Sequence, residues 1–219
     1  MNWELVRSSL GPIVRGALLG TIPLTLASFA LGLALALGVA LMRLSSIRVV
    51  SAVARIYVSV IRGTPLLVQL FVIFYGLPSI GLTINPWPSA IIAFSLNVGG
   101  YAAEVIRAAI LSVPKGQWEA AQMIGMGRRL ALRRIILPQA ARVSVPPLSN
   151  TFISLVKDTS LASLILVTEL FRRAQEIAAP SGEFMTLYVE AAAVYWVICL
   201  FLSSGQSALE RRLDRYVAH

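Results

Sequence analysis

Long stretches without any charged residue alternate with short polar segments along this chain. No charge lies between Arg15 and Arg43, and none lies between Arg62 and Glu104. About 18 apolar residues in a row are enough for a helix to cross the hydrocarbon core of a bilayer. The first stretch therefore predicts one membrane helix. The second is too long for one crossing and is interrupted by turn-forming residues at 76–78 and 85–88, so it predicts two.

The complete pattern predicts an all-α integral membrane bundle of five transmembrane helices, in one domain that covers residues 1–219. The expected spans are about 16–43, 57–77, 88–111, 146–170 and 184–207. The fourth span is expected to begin after Pro146-Pro147, because proline disrupts a helix interior. The connection at 112–145 is the longest between spans, and we expect a short helix inside it.

Composition excludes a soluble enzyme. Hydrophobic residues make up 57% of the chain, charged residues only 13%, and the mean hydropathy is +0.78. The net charge of +9 comes from basic residues in the gaps between spans, which predicts contact with membrane lipid and not with nucleic acid. With one cysteine, and with His219 as the only histidine and last residue, we expect neither an internal disulfide nor a metal site.

The distribution of Lys and Arg predicts the orientation in the membrane. One side of the predicted bundle carries twelve: Arg43, Arg48, Arg55, Lys115, Arg128, Arg129, Arg133, Arg134, Arg142, Arg211, Arg212 and Arg215. The other side carries four: Arg7, Arg15, Arg172 and Arg173. Because basic loops stay in the cytoplasm, the N-terminus is expected outside, and the C-terminus and residues 112–145 inside.

The connection at 112–145 contains the pattern E-A-A-x3-G-x9-I-x-L-P, which begins at Glu119-Ala120-Ala121 and includes Gly125. Pro114 precedes a short helix, the alanines leave a thin face that another surface can approach, and Gly125 suits a left-handed stop. Such a helix could dock into a cytoplasmic partner. From the residues alone, an ordinary amphipathic helix at the membrane surface is an equal alternative.

This pattern resembles the loop signature of permease subunits of ABC importers. Residues 62–66 and 155–161 resemble segments of the polar amino-acid branch, and the chain is most similar to L-cystine permeases. The resemblance implies that Glu119, Ala120, Ala121 and Gly125 form a coupling helix that contacts an ATPase subunit. It also implies import of a polar amino acid, L-cystine first, with arginine, histidine or glutamine as alternatives.

The resemblance further implies a set of partners. These are two ATPase subunits, an extracytoplasmic amino-acid-binding protein and a second permease subunit, expected as a homodimer in the bacterial inner membrane. No G-x-x-x-x-G-K-[ST] loop occurs in the chain, so ATP and Mg are expected on the ATPase and no cofactor on this subunit. We therefore expect a transporter subunit that uses alternating access, and not an enzyme.

Ionisable residues inside predicted spans are candidates for the substrate pathway, because each costs at least about 2.5–3.5 kcal/mol to insert. Lys157 and Asp158 are the clearest pair: Lys157 could meet a carboxylate of an amino acid, and Asp158 an ammonium group. A structural role with polar groups of other helices is equally open. The complete candidate set is Arg62, Thr64, Gln69, Glu104, Lys157, Asp158 and Ser160.

Several of these residues have alternative interpretations. Arg62 could instead be an anchor at the membrane surface, with Gly63-Thr64-Pro65 loosening the helix after it. Glu104 can pair with Arg107 three residues on. Glu169 could be a vestibule residue or simply solvated, and Gly16 and Gly20 permit close helix packing.

Two other classes of membrane protein remain as alternatives. A secondary transporter would need no ATPase, but the chain shows no repeat with paired broken helices of the kind that such folds carry. A signalling or interaction subunit would transport nothing, and its buried charges would be purely structural.

Overall fold

The computed structural model describes residues 3–214, with side chains to residue 212. Arg215, which the charge count includes, and His219 lie outside the described residues. Within them the chain is helical, with α1 at Trp3–Gly16, α2 at Ile22–Arg43, α3 at Arg48–Gly63, α4 at Leu66–Phe71, α5 at Pro86–Ser112, α6 at Lys115–Met123, α7 at Arg128–Ala131, α8 at Leu137–Asp158, α9 at Leu170–Ser181 and α10 at Phe184–Asp214. Wider π turns join α1 to α2 and α7 to α8, at Ala17–Thr21 and Leu132–Ile136.

The predicted all-helical membrane fold is confirmed. Within the described residues, three helical stretches are long and apolar enough to cross a membrane: Trp3–Arg43, Pro86–Ser112 and Phe184–Arg212. The count rises to five if each of two bent pairs is one span. These pairs are Arg48–Gly63 with Leu66–Ile80, bent by 106°, and Arg128–Ile165 with Leu170–Ser181, bent by 46°.

The segment predicted as a span at 57–77 is not one continuous helix. Thr64 and Pro65 adopt extended backbone conformations between α3 and α4. The proline ring disfavours a helical conformation at the residue before it, which explains the break at this point. Gln69 then braces the bend, since its Nε2 lies 2.8 Å from the Ile61 carbonyl and 2.9 Å from Thr64 Oγ1.

By contrast, Pro146-Pro147 does not begin a helix but lies inside α8. Helical structure runs from Arg128 to Ile165, so the connection at 112–145 is mostly helix and α8 begins before the proline pair. Two hydroxyls donate hydrogen bonds to carbonyls beside the prolines, Ser149 to Val145 and Thr151 to Pro147, both at 2.9 Å. Proline is tolerated inside membrane helices, because neighbouring helices and small local adjustments accommodate the backbone groups that it leaves unpaired. The sequence analysis also did not predict α9.

Small residues let α2 and α5 approach closely in the larger core. A Cβ added to Gly32 would lie 2.6 Å from Val98 Cβ and 2.9 Å from the Ser95 carbonyl oxygen. A Cβ added to Gly99 would lie 2.7 Å from Leu35 Cδ2. Glycine lets the two helices approach closely, and the resulting van der Waals packing is one of the attractions between helices in lipid. The α2–α5 pair thus forms the rigid base for the polar residues described below.

A second core joins α1, α9 and α10. Gly16 and Gly20 pack against the start of α9, where a Cβ on Gly20 would lie 2.5 Å from the Thr168 carbonyl oxygen. Glu169 is fully buried there, which excludes a solvated position. Its carboxylate caps α9 by accepting hydrogen bonds from the backbone N–H groups of residues 171 and 172. Tyr195 Oη also donates to it, at 2.7 Å, and so links α9 to α10.

Candidate functional site

A polar cavity of about 430 Å³ lies where the α3–α4 break faces α5 and α8. We call it the Asp158 cavity, after the one acidic residue in its wall. Its other polar lining residues are Thr64, Asn97, Tyr101, Asn150, Thr151 and Ser154. A half-buried carboxylate surrounded by amides and hydroxyls can accept hydrogen bonds from an ammonium group. The cavity can therefore hold a small polar cation.

The elements that frame the Asp158 cavity follow from local sequence. Because the helix is broken at Thr64-Pro65, the Thr64 side chain and its neighbours reach the cavity wall. Gln69 Oε1 accepts a hydrogen bond of 3.1 Å from Asn97 Nδ2, which fixes the Asn97 amide of α5. Asp158 is the last residue of α8, just before the tighter 3₁₀ turns at Thr159–Ile165.

A second cavity, of about 450 Å³, shares Tyr101 with the first. We call it the arginine cavity, because Arg43, Arg55 and Arg62 line it together with a single acidic residue, Glu104. An excess of fixed positive charge of this kind attracts carboxylates or other anions.

Contacts between helices position the charges of the arginine cavity. The carboxylate of Glu104 forms ion pairs with both Arg43 on α2 and Arg107 on α5. The predicted pair of Glu104 and Arg107 is therefore confirmed, and Arg43 is an additional partner. Arg62 lies over the Tyr101 ring, with Cζ 5.5 Å from the ring centroid, in a cation–π contact. Tyr101 thus separates the basic cavity from the acidic one.

The seven candidates for the substrate pathway divide into two groups. Arg62, Thr64, Glu104 and Asp158 line one of the two cavities. Lys157 and Ser160 are not among the residues that line either, and Gln69 supports the wall from behind. Lys157 is exposed, and the Ser160 hydroxyl donates a 2.7 Å hydrogen bond back to the Lys157 carbonyl. Neighbours on a helix point about 100° apart, which explains why Asp158 faces the cavity and Lys157 does not.

Sequence analysis missed several residues of the site. Asn97, Tyr101 and Asn150 are polar residues within apolar segments, and a search for uncharged polar side chains could have found them. Arg43 and Arg55 were treated only as topology signals, because their approach to Arg62 depends on how α2, α3 and α5 pack.

The short helix α6 forms as the sequence indicates. It covers Lys115–Met123 and is followed at Gly125 by a left-handed residue with φ +79°. The Gly125 N–H donates to the Gln122 carbonyl at 2.9 Å, and the Met126 N–H donates to the Ala121 carbonyl at 3.0 Å. This arrangement is a left-handed helix stop that favours glycine.

The exposed side of α6 differs in part from the predicted one. Glu119, Ala120 and Gly125 are exposed, whereas Ala121 is buried and packs against its own chain. Two large apolar residues that were not predicted, Met123 and Ile124, are 88% and 74% exposed. Exposed apolar residues at the end of a polar helix suit contact either with a partner protein or with the membrane surface.

A helical membrane bundle with polar cavities between its spans and an exposed helix between α5 and α8 has the architecture of a transporter subunit. Residues 28–215 match the family described as "Binding-protein-dependent transport system inner membrane component". The chain belongs to this family. It is therefore a multi-pass inner-membrane permease subunit of an ABC importer, which works with a binding protein and with an ATPase that binds the nucleotide.

Individual relatives agree with this family. The L-cystine transport system permease protein TcyB of Bacillus subtilis is 62% identical over 217 residues, which cover 99% of this chain and 93% of that protein. The glutamine transport system permease protein GlnP of Escherichia coli is 36% identical over 97% of both chains. The resemblance to ABC importer permeases inferred from the loop pattern is thus confirmed.

Solved structures support the same fold. The crystal structure of an amino acid ABC transporter with histidines matches with a TM-score of 0.87 and 38% identity, over 92% of this chain and 94% of that one. The MetNI methionine ABC transporter in an inward-facing conformation matches with a TM-score of 0.71 over 97% of both chains. At 18% identity, the second match supports the fold alone.

Proposed function

We propose that this chain is the permease subunit of an importer of L-cystine. The observation that carries the proposal is the 62% identity to an L-cystine permease over nearly the full length of both proteins. Import of arginine, histidine or glutamine is the second candidate, because the glutamine permease is also similar, although at only 36% identity.

The two adjoining cavities fit this class of substrate. An amino acid carries an ammonium group and a carboxylate, and cystine carries two of each. The Asp158 cavity offers one carboxylate, and the arginine cavity, beyond Tyr101, offers three guanidinium groups. We infer that Asp158 accepts hydrogen bonds from a substrate ammonium, and that Arg62 and its neighbours attract a carboxylate as the substrate moves past Tyr101.

We propose that α6 is the coupling helix, with a contact surface revised by the exposure of its residues. Glu119, Ala120 and Gly125 are accessible to an ATPase, and Met123 and Ile124 provide the apolar anchor for a groove. Ala121 contributes by holding α6 against its own chain. Movement of the ATPases would then reach the cavities through α6 and drive alternating access.

We further propose five spans, an outer N-terminus, a cytoplasmic C-terminus and a homodimer of permease subunits. The excess of Lys and Arg on one side supports the orientation. A single-cysteine variant in α10 would test the homodimer, since crosslinks between two copies of this chain are expected. If only mixed dimers with a different permease formed, the homodimer would be excluded.

The defining experiment is reconstitution of this chain with its ATPase and binding protein in lipid vesicles. We expect ATP-dependent uptake of labelled cystine above that of arginine, histidine and glutamine, and loss of uptake in Glu119→Arg. Preferred uptake of one of the other three amino acids would exclude cystine as the main substrate, but it would agree with ATP-driven import. Uptake that continues without the ATPase would instead indicate a secondary transporter.

Adjacent variants in α8 test the proposed pathway. Asp158→Asn removes the charge that faces the cavity, and Lys157→Gln removes a neighbouring charge that does not. A charge-assisted hydrogen bond contributes about 1.5–3 kcal/mol, so uptake at low substrate should fall about 10-fold or more in Asp158→Asn. Lys157→Gln is expected to stay within about twofold of the parent protein. Equal losses in both variants would contradict a specific role for Asp158.

A further inference from the structure

A large apolar groove runs between the N-terminal helix and α10, outside the two polar cavities. Its volume is about 900 Å³, and side chains of α1, of the Ala17–Thr21 turn and of α10 line it. Leu10, Leu18, Val197 and Phe201 are typical of these walls. Glu190 is the one charged residue among those that line it. We call this feature the α1–α10 groove.

One oxygen of the buried Glu190 carboxylate has no hydrogen-bond donor within the described part of the chain. Glu190 is 8% exposed, and its Oε2 lies 2.6 Å from Ser9 Oγ. Its Oε1 is buried without any hydrogen-bond partner among the described residues. Ser9 Oγ also lies 2.7 Å from the Leu5 carbonyl oxygen, and a hydroxyl has only one hydrogen to donate. Within these residues Oε1 therefore has no donor, and Oε2 shares the single hydroxyl hydrogen of Ser9 with the Leu5 carbonyl oxygen.

The described cations do not compensate this charge. The ion pairs of the described residues involve Glu104 and Glu176, and none reaches Glu190. A buried carboxylate is normally paired or hydrogen-bonded, since burial without a partner is costly. Glu190 therefore calls for a positively charged donor from another molecule.

The depth of Glu190 in the membrane indicates which kind of molecule supplies this donor. At 1.5 Å per residue, the helix between Glu190 and Arg211 is about 31 Å long, close to the thickness of the hydrocarbon core of a bilayer. Arg211 is the first basic residue after the apolar part of α10, so Glu190 lies in the opposite half of this span, six residues or about 9 Å from its start at Phe184 and on the side of the other lipid headgroups. From Glu190 to Phe201 the groove follows α10 for about 16 Å, the depth of one leaflet.

We propose that the α1–α10 groove binds a phospholipid with a primary ammonium headgroup, of the phosphatidylethanolamine class. The ammonium donates to Glu190, and an acyl chain covers the apolar walls. Because Oε1 is buried, binding requires the Glu190 side chain to rotate about its soft terminal torsion so that Oε1 reaches the headgroup. A choline headgroup cannot donate such a hydrogen bond, and a phosphatidylglycerol headgroup carries no positive charge, so the site distinguishes lipids with identical acyl chains.

The test is native mass spectrometry of the full-length chain in complex with its ATPase, after equilibration with dioleoyl phosphatidylethanolamine, phosphatidylcholine or phosphatidylglycerol. We expect retention of the ethanolamine lipid to exceed that of the choline lipid about tenfold, the factor expected of one charge-assisted hydrogen bond. In Glu190→Gln this preference should disappear. The matched control Glu183→Gln changes an exposed carboxylate just before α10. This variant should keep the preference for the ethanolamine lipid.

A second variant tests the groove without changing Glu190. Leu18 is 56% exposed, so Leu18→Trp can fill the groove with little effect on folding, and it should reduce retention of the ethanolamine lipid. Equal retention of the lipids by the parent protein, or a preference that survives Glu190→Gln, would overturn the proposal. Crosslinking of Leu18→Cys to a second protein chain would also overturn it, because a protein would then occupy the groove. Lipid retention is measured without transport, so the result does not depend on the substrate.

Discussion

Glu169 connects three parts of the second core, and its removal should be among the most destabilising single changes in the chain. Its carboxylate caps α9 through two backbone N–H groups and accepts a hydrogen bond from Tyr195 Oη of α10. Thr21 Oγ1 lies 3.3 Å from the same carboxylate. A helix cap contributes about 1 kcal/mol, and a hydrogen bond to a charged group about 1.5–3 kcal/mol.

Glu169→Ala is therefore expected to lower the free energy of unfolding by about 2.5–4 kcal/mol. The measurement is unfolding of the purified chain by a denaturing detergent, followed by far-ultraviolet circular dichroism. The matched control is Glu183→Ala, which removes an exposed carboxylate that accepts a hydrogen bond from Thr186 and should change stability by less than about 0.5 kcal/mol.

A double-mutant cycle with Tyr195→Phe isolates the contact between α9 and α10. If the Tyr195 hydroxyl acts through Glu169, the sum of the stability losses of the two single variants should exceed the loss of the double variant by about 1.5 kcal/mol or more. Coupling below about 0.5 kcal/mol would refute the interpretation that this hydrogen bond holds the two helices together.

Two further predictions concern glycines, each with a matched glycine nearby. Gly32→Ala should destabilise the chain by about 1–3 kcal/mol in the same unfolding assay, because the new Cβ would meet Val98, whereas Gly38→Ala on the same helix meets nothing within 4 Å and should not destabilise it. Gly125→Ala should cost about 1 kcal/mol at φ +79° and loosen the end of α6. In the reconstituted importer it should lower transport per ATP hydrolysed, while Gly116→Ala, which has open space and no positive φ, should not. Equal effects within either pair would contradict the packing or backbone argument.

The membrane class, the short helix and the family could all be inferred from the sequence. Runs without charge and the distribution of Lys and Arg follow from the cost of placing charge in hydrocarbon, which acts on each segment separately. The stop at Gly125 is equally local, because it depends on the conformational freedom of one residue. The segment predicted as a helix at 88–111 is α5, Pro86–Ser112, in the structure. A long apolar run between turn-forming residues is also a local signal.

Which residues form the candidate site could be identified only from the tertiary structure. Lys157 and Asp158 look equivalent in sequence, yet only Asp158 lines a cavity, because the rotation of α8 against α5 decides which neighbour faces inward. The three arginines of the arginine cavity come from two different helices, and Glu169 is buried only because α9 folds back onto Gly16 and Gly20. The sequence by itself determined that this is a helical membrane protein, since that depends on the transfer of long apolar segments from water. Which side chains meet inside the bundle depends on packing between segments distant in the chain, and only the tertiary structure decided it.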